Sequence, residues 1–341
     1  EFLVSRVLLP PQLSAVAQAG PEAGSVVRQL HGESMGTTWS VSVCAPPERL
    51  DALPLQRLLQ AELDEVVEQM SHWKPDSLLS RFNDAPAGST QVLPEAFFEV
   101  LRCACELARA SNGAYDPAAG ALVDVWGFGA KPRDALPPSA QEIREALARC
   151  GWRRLRLDEQ TRSITQPGGL ALDLSSIAKG YGVDRLCEAL QRHGIAHHLC
   201  EVGGEVRGQG CKPDDHPWWV TLEAIPEAPF EAPWLLALDG IAVATSGDYR
   251  RYFEQGERRY AHTLDPRSGY PLNPAPAAVS VVHPRCMLAD GLATVLTALG
   301  LQDGMAFAER ENVAALFVMR NGASGRFDEY ASTAWSRLLE A

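Results

Sequence analysis

The sequence predicts an α+β fold in a single domain. Helical spacing of apolar residues is concentrated early in the chain, and a long middle section consists of short β-type segments separated by turns. Helices and strands mix near the end, without the regular alternation of a parallel α/β sheet. No linker or internal repeat divides the 341 residues. We therefore expect one domain at residues 32–341, preceded by an extended arm at residues 1–31.

The composition is that of an acidic globular protein. Hydrophobic residues make up 46% and charged residues 22%, which excludes a disordered or fibrous chain. The 31 Lys and Arg against 43 Asp and Glu give a net charge of −12, so no general attraction to nucleic acid or to an anionic membrane is expected. The longest apolar runs fall short of the ~18 residues of a membrane helix.

Eight cysteines are present, with no C-x-x-C pair and no zinc-type spacing of Cys and His. The favoured interpretation is that they are small buried apolar residues. An even count leaves room for a disulfide without requiring one.

The first half of the chain is predicted to contain a strand and then three helices. Alternation in the second half of residues 35–44 indicates the strand. Apolar residues recur at helical spacing over residues 55–70, and a second helix is expected at residues 94–111. A Pro- and Gly-marked loop follows. A third helix at residues 139–150 begins with a capping-box signature.

The second half is predicted to be richer in strands. A short hairpin is expected from residues 154–157 and 163–165, and an apolar strand at residues 170–174 leads into Ser175 and Ser176 as the cap of a helix. Residues 196–282 alternate between short strands and turns. The remaining predicted elements are helices at 287–299 and 302–311, a strand at 313–319, and a final strand and helix.

A candidate metal site lies in the segment L-A-D-G-L-A-T. Asp290 and Thr294 are four residues apart on a predicted apolar helix and therefore share one face. A carboxylate and a hydroxyl together suit Mg²⁺, which prefers oxygen ligands and keeps substrate phosphates in its coordination shell. The alternative is a buried aspartate that accepts hydrogen bonds from backbone N–H groups.

A candidate phosphate site lies in the segment L-D-L-S-S-I-A-K-G-Y. Asp173 ends the predicted strand, the two serines begin the helix, and Lys179 is placed one turn inside it. A helix N-terminus with a lysine beside it favours an anion such as a nucleotide phosphate. The alternative is an ordinary helix cap with a solvated lysine.

Other motifs carry weaker predictions. The glycine-rich residues 202–210 indicate a tight turn or a close approach to a ligand, and Thr245 to Gly247 form a polar turn after an apolar strand. His262 could exchange a proton near neutral pH or be structural. Aromatic residues in polar loops could stack on a flat ring or anchor the core; these are Trp73, Tyr115, Trp126 and Phe128.

Together and in this order, the motifs resemble the ApbE family, the periplasmic FAD:protein FMN transferases. The resemblance spans about residues 32–299, most of the chain. The matching stretches are M-G-T-T-W (35–39), S-H-W-K-P-D-S-L-L-S-R-F-N (71–83), G-A-Y-D-P (113–117), W-G-F-G (126–129), L-D-L-S-S-I-A-K-G-Y (172–181), V-G-G-E (202–205), A-T-S-G-D-Y (244–249), H-T-L-D-P-R-S-G-Y-P (262–271) and A-D-G-L-A-T (289–294).

The resemblance implies an α+β ApbE-like fold with two lobes around an FAD cleft. It implies that FAD is the substrate, that Mg²⁺ is required, and that FMN is moved to a threonine hydroxyl of a target flavoprotein with release of AMP. The implied FAD contacts are Met35, Trp73, Ala114, Tyr115, Asp116, Asp173, Lys179 and Thr263. The implied metal ligands are Asp290, Thr294, Ser176 through its carbonyl oxygen, and Ala293 through its carbonyl oxygen if it is a ligand at all.

The same resemblance places His262 beside the pyrophosphate. We take His262 as the hypothetical base that accepts the threonine proton, with Asp290 acting through a water molecule as its rival. Ala293 departs from the family pattern, because many members carry a small polar residue three positions after the metal aspartate. A backbone oxygen or a water molecule would have to replace that ligand, with weaker Mg²⁺ binding as the result.

Two other functions remain open: an Mg²⁺-dependent FAD pyrophosphatase and an FAD-binding protein without turnover. For a transferase, the resemblance implies targets in electron-transport complexes of the Rnf or sodium-pumping quinone reductase type, or the flavoprotein of nitrous oxide respiration. It also implies a periplasmic location, with any export signal removed. No nucleic-acid partner is expected.

Overall fold

The structure, a computed structural model, describes residues 6–129, 137–222, 225, 233–247, 252–255, 258–261, 263–272, 274–321 and 326–339. The helices of this part of the chain are α1 Ala15–Ala19, α2 Ala52–Met70, α3 Leu78–Asp84, α4 Glu95–Ala110, α5 Gly120–Val125, α6 Ala140–Leu147, α7 Ala178–Arg192, α8 Cys286–Arg310 and α9 Thr333–Arg337. The three long helices predicted in the first half correspond to α2, α4 and α6, and Ser139 forms the predicted capping box with Glu142.

The strands are short and lie mostly in the second half, as predicted. They are β1 Arg6–Leu8, β2 Val26–Ser34, β3 Thr37–Ala45, β4 Thr90–Val92, β5 Arg156–Asp158, β6 Ser163–Thr165, β7 His197–Val202, β8 Glu205–Gln209, β9 Trp219–Thr221, β10 Trp234–Ala237, β11 Ile241–Gly247, β12 Tyr252–Gln255, β13 Arg258–Ala261, β14 Leu264–Asp265, β15 Tyr270–Pro271, β16 Ala278–His283, β17 Ala314–Asn321 and β18 Arg326–Ala331.

The main sheet has eight strands in the order β18-β17-β16-β11-β8-β7-β3-β2, and each neighbouring pair is antiparallel. Alternation explains the burial of β3: Trp39, Val41 and Val43 point into the core, while the residues between them are less buried. A smaller sheet, β4-β6-β5, lies with the helices of the first half. The main sheet and this smaller sheet correspond to the two expected lobes.

Helices α2, α7 and α8 pack together on the main sheet, and one continuous apolar core joins them to the first half of the chain. Phe97 on α4, Leu170, Val279 on β16 and Met287 on α8 belong to this core. A core shared by both lobes defines one α+β domain, which confirms the predicted fold class.

Helix α8 contains the predicted break. Gly300 has φ 74°, a left-handed value that interrupts the helix where the sequence indicates that the first of two helices ends. By length and composition α8 is the one helix of the described residues that could cross a membrane, but 56% of its most apolar window is buried inside the protein. This burial is typical of a core helix.

The N-terminal segment differs from the expected arm. Strand β1 pairs in parallel with β10, and Ser14 donates a hydrogen bond of 2.6 Å to Asp239. Strand β2 pairs with β3 along nine residues and crosses the expected boundary at residue 31. Only Leu30 of β2 is buried, because β2 is an edge strand. The segment therefore lacks the hydrophobic alternation by which a strand is recognised.

Three local predictions were wrong. Residues 170–174 do not form the predicted β-strand. The backbone N–H and carbonyl oxygen of Leu172 bond to the Asn83 side chain, and the backbone N–H of Asp173 donates to the Pro117 carbonyl oxygen. Helix α7 begins at Ala178, later than the predicted cap at Ser175 and Ser176. Its N-cap residue is Ile177, whose side chain makes no capping hydrogen bond. In addition, Thr245 to Gly247 continue strand β11 and do not form a turn.

Candidate active site

A cavity of about 1010 Å³ lies where the helices of the main sheet meet the first half of the chain. This volume is at the upper end for pockets that hold small organic ligands, so the cavity can accept a dinucleotide-sized molecule. The following predicted site residues line it: Met35, Trp73, Ala114, Tyr115, Asp116, Asp173, Ser176, Lys179, Thr263, Asp290 and Thr294. Their proposed roles toward a ligand are still predictions.

Helix α8 presents its polar pair to this cavity. Asp290 and Thr294 are one turn apart, as expected. Asp290 is buried, and its Oδ2 accepts a hydrogen bond of 2.9 Å from the Gly180 N–H of α7. Within the described part of the chain, the Thr294 hydroxyl has no protein partner and is available to a ligand. The atoms that this wall offers to a metal ion are therefore oxygens.

Helix α7 begins at the same wall. Lys179 is the second residue of the helix, closer to its N-terminus than predicted. Its Nζ lies 2.6 Å from Oε1 of Glu205, a fully buried carboxylate on β8. Glu205 follows the tight turn at Gly203 and Gly204, which both have positive φ. The ion pair directs the ammonium group along the cavity wall.

The loop after α4 forms a second wall of the cavity. Tyr115 is buried and accepts a hydrogen bond of 3.3 Å from Ser176. Burial raises the pKa of Tyr115 far above its usual range, although this hydrogen bond opposes the shift, so the phenol stays neutral. Asp116 accepts hydrogen bonds from the backbone of Ala118 (2.8 Å) and Trp152 (3.1 Å). Burial outweighs these bonds and raises the pKa of Asp116 to about 6.

The third wall is the loop after α2. Trp73 is 52% exposed at the rim, with its ring centroid 5.0 Å from that of His72. Nδ1 of His72 lies 3.5 Å from Oδ1 of Asp173, which also accepts a hydrogen bond from Ser175 N–H. A partly exposed indole at a cavity rim can stack on a flat ring system.

Met35 reaches the cavity because of the turn between β2 and β3. Met35 and Gly36 have φ values of 56° and 71°, as a type I′ hairpin requires. A methionine in the left-handed region is unusual, and the turn holds it where it lines the cavity.

Two predicted residues, Ala293 and Trp126, lie in the core and do not line the cavity. Ala293 is buried and does not line the cavity, and its carbonyl oxygen accepts a hydrogen bond of 2.7 Å from the Thr297 hydroxyl. His262 lies outside the described residues. Trp126 is a core anchor whose indole N–H donates to the Gly269 carbonyl oxygen at 2.8 Å.

His72 and Glu205 are two ionisable residues of the cavity wall to which sequence reasoning gave no role. Both lie inside recognised motifs, S-H-W and V-G-G-E. Their roles depend on partners far away in sequence, Asp173 and Lys179, and no local pattern gives those pairings.

Comparisons with known proteins agree with this fold and motif set. Residues 35–317 match the model of the ApbE family. A Vibrio cholerae protein named FAD:protein FMN transferase is 36% identical over 96% of this chain and 97% of its own, and the Haemophilus influenzae protein of that name is 34% identical over 96% and 95%. The apo structure of Pseudomonas stutzeri flavinyl transferase ApbE has a TM-score of 0.86 and 38% identity, covering 93% of this chain and 98% of its own.

These comparisons identify an enzyme of the flavinyl transferase class. The chain belongs to the ApbE family.

Proposed function

We propose that this protein transfers the FMN half of FAD to a threonine hydroxyl of a target flavoprotein, with Mg²⁺ at Asp290, Thr294 and Ser176. One observation carries the metal part of the proposal. Among the described residues that line the cavity, the acids are Asp116, Asp173, Glu205 and Asp290, whereas the cations are Lys74 and Lys179. A wall with more carboxylates than cations would repel a pyrophosphate, so a divalent cation is needed to hold it.

The residues fit that cation. The buried Asp290 carboxylate, the Thr294 hydroxyl one turn away and the Ser176 carbonyl oxygen are hard oxygen donors of the kind that bind Mg²⁺. Ala293 is not needed as a ligand, since water and substrate phosphates complete most protein Mg²⁺ sites. When bound, the ion would neutralise phosphate charge and stabilise AMP as the leaving group.

The reaction is a displacement at phosphorus. The threonine oxygen forms a bond to the FMN phosphorus, the bridging P–O bond breaks, and AMP leaves with the bridging oxygen. Lys179 holds phosphate oxygens at the start of α7, and Trp73 at the rim orients the flat part of the substrate. The hydroxyl proton goes to a base, for which His262 is our hypothesis and water-linked Asp290 the rival.

The test uses an acceptor domain that carries a threonine, mixed with this protein, FAD and Mg²⁺. Intact-mass spectrometry is expected to show a gain of one FMN on the acceptor, with AMP released in parallel and both products lost in EDTA. AMP without a mass gain would indicate the pyrophosphatase. Bound FAD with neither product would indicate the FAD-binding protein.

Substitutions of Asp290 and Thr294 on α8 test the proposed Mg²⁺ site. Asp290→Asn keeps an acceptor for the Gly180 N–H but removes the charge, and Thr294→Val removes only the hydroxyl. We expect each to lower the transfer rate at limiting Mg²⁺ at least tenfold, by order of magnitude, with partial rescue by excess Mg²⁺. Asp303→Asn, on the exposed side of the same helix, is the matched control and is expected to leave the rate unchanged.

The target and the location are also proposals. The family resemblance supports a flavoprotein subunit of an Rnf-type or sodium-pumping quinone reductase complex, or the flavoprotein of nitrous oxide respiration, in the periplasm. Acceptor domains of each type, tested side by side, would identify the target by the rate of mass gain.

A further inference from the structure

A cluster of two thiols and an imidazole lies in the core, away from the cavity. His198 and Cys200 are two residues apart on β7 and therefore point to the same face of the sheet. Cys187 of α7 packs on that face. All three side chains are buried, and one donor atom from each lies within 4.8 Å of the other two. Along α7, Cys187 is about 12 Å from Lys179.

The imidazole presents a free lone pair to the two sulfur atoms. Nδ1 of His198 lies 3.2 Å from the Ile195 carbonyl oxygen, which can only accept, so Nδ1 carries the proton. Nε2 is then unprotonated. It is fully buried and has no hydrogen-bond partner within the described part of the chain. A buried lone pair without a partner is costly, whereas an N–H to carbonyl bond behind it is the usual support of a metal-bound histidine.

Charge near the cluster favours a thiolate. Arg207 is the cross-strand partner of Cys200, and its guanidinium pairs with Asp184, one turn before Cys187 on α7. A cation that binds both sulfur atoms would displace their protons.

We propose that Cys187, His198 and Cys200 bind a thiophilic d¹⁰ cation, Zn²⁺ or Cu⁺, as a structural site that joins α7 to the main sheet. Two sulfurs and one imidazole nitrogen are soft donors, which suit these ions and not Mg²⁺. The site is therefore separate in chemistry from the oxygen donors of the cavity. Binding would release thiol protons and stabilise the folded chain.

The test loads the reduced full-length protein, without oxygen, with Zn²⁺ or with Cu⁺ and measures metal per chain after dialysis. We expect about one retained equivalent of one of these ions and a higher melting temperature. Co²⁺ is the spectroscopic probe and is expected to give a thiolate-to-metal charge-transfer band. The Zn²⁺ and Cu⁺ arms identify which ion is held more tightly.

His198→Asn is the critical variant, because an asparagine can still donate to the Ile195 carbonyl oxygen while Nε2 is lost. We expect it to weaken metal binding at least about 100-fold and to abolish the Co²⁺ band. Cys200→Val, which keeps the volume, is expected to do the same. Cys103→Ser changes a buried thiol outside the cluster and is expected to bind metal as the parent chain does.

Any of three results would overturn the proposal. The first is the absence of a retained equivalent of either ion in the parent protein. The second is equal retention in His198→Asn and Cys200→Val, which would place the metal on other residues. The third is a Cys187–Cys200 disulfide that persists in the purified protein and excludes metal.

Discussion

At the residue scale, Gly180 determines how closely α7 and α8 approach. A Cβ atom at this position would lie 2.8 Å from the Asp290 Cβ and closer still to the Cys286 carbonyl oxygen. The same close approach allows the Gly180 N–H to reach the Asp290 carboxylate. The glycine therefore links the packing of two helices to the position of the proposed metal ligand.

Gly180→Ala is expected to lower the free energy of unfolding by about 1–3 kcal/mol, because the added methyl group separates the two helices. It is also expected to weaken Mg²⁺ binding. Gly182→Ala is the matched control: its Cβ would meet the end of the Leu63 side chain at 3.1 Å and the end of the Met35 side chain at an ordinary contact distance of 3.5 Å, and alanine favours a helix. Equal unfolding free energies of the two variants in urea would contradict this explanation.

Asp116 gives the folded protein a specific pH dependence. Its pKa is raised from 3.8 to about 6, mainly by burial. The folded state therefore holds the proton more tightly than the unfolded state, and the stabilisation this provides is complete below about pH 4 and lost as the pH rises through 6. The shift corresponds to at most about 3 kcal/mol.

Urea unfolding between pH 4 and pH 7 measures this effect. We expect Asp116→Asn to remove the part of the pH dependence that lies between about pH 4 and pH 6, whatever its effect on absolute stability. Asp158→Asn is a control on an exposed aspartate whose pKa is lowered by backbone hydrogen bonds. If the parent and Asp116→Asn curves stayed parallel, Asp116 would not be the group responsible.

At the scale of elements, Asp184 fixes the start of α8. This buried residue of α7 accepts hydrogen bonds from the N–H groups of Cys286 (3.0 Å) and Met287 (2.9 Å), the first two residues of α8. It also pairs with Arg207 at 2.6 Å. One carboxylate thus satisfies the N-terminus of α8 and a largely buried guanidinium.

Asp184→Asn is expected to destabilise the protein by about 3–5 kcal/mol, since it leaves Arg207 buried without an opposite charge. Chemical denaturation followed by circular dichroism measures the change. Glu99→Gln breaks the more exposed pair with Arg285 and is expected to cost at most about 1 kcal/mol. A cost for Asp184→Asn as small as for Glu99→Gln would show that the pair is not energetically important.

Elements with a buried face could be predicted from the sequence, and elements without one could not. The apolar stripe of α2 predicted that helix correctly. Gly300 predicted the break inside α8 correctly. Strand β2 has one buried residue, and the extended chain at residues 170–174 is held by Asn83 and a loop carbonyl. Neither leaves a local signal.

Most predicted site residues line the cavity, even where the local structure differs from the prediction. Lys179 lines the cavity although α7 begins later than expected. The pairings of Lys179 with Glu205 and of His72 with Asp173 could not be predicted, because they join segments far apart in the chain.

At the scale of the whole molecule, the main sheet depends on its edge strand. Strand β2 covers the hydrogen-bonding edge of β3 along nine residues, and the segment before it adds β1 and the Ser14–Asp239 contact. An uncovered edge pairs readily with another chain. The N-terminal segment therefore contributes to solubility as well as to stability.

Two truncations separate these contributions. A variant that lacks residues 1–25 keeps β2 and is expected to be less stable but monomeric. A variant that lacks residues 1–34 exposes the edge of β3 and is expected to aggregate. Size-exclusion chromatography and the soluble fraction distinguish the two, and a monomeric second variant would contradict the role assigned to β2.

All eight cysteines are buried, and none forms a disulfide in the structure. A thiol reagent can therefore react only after the structure around a cysteine has opened. The labelling rate of each cysteine then reports how often its own region opens. The reaction of Cys103 or Cys105 follows opening around α4, whereas that of Cys44 follows separation of the strands near β3. Labelling rates, resolved by peptide mass, would rank the regions by how often they open, without any introduced probe.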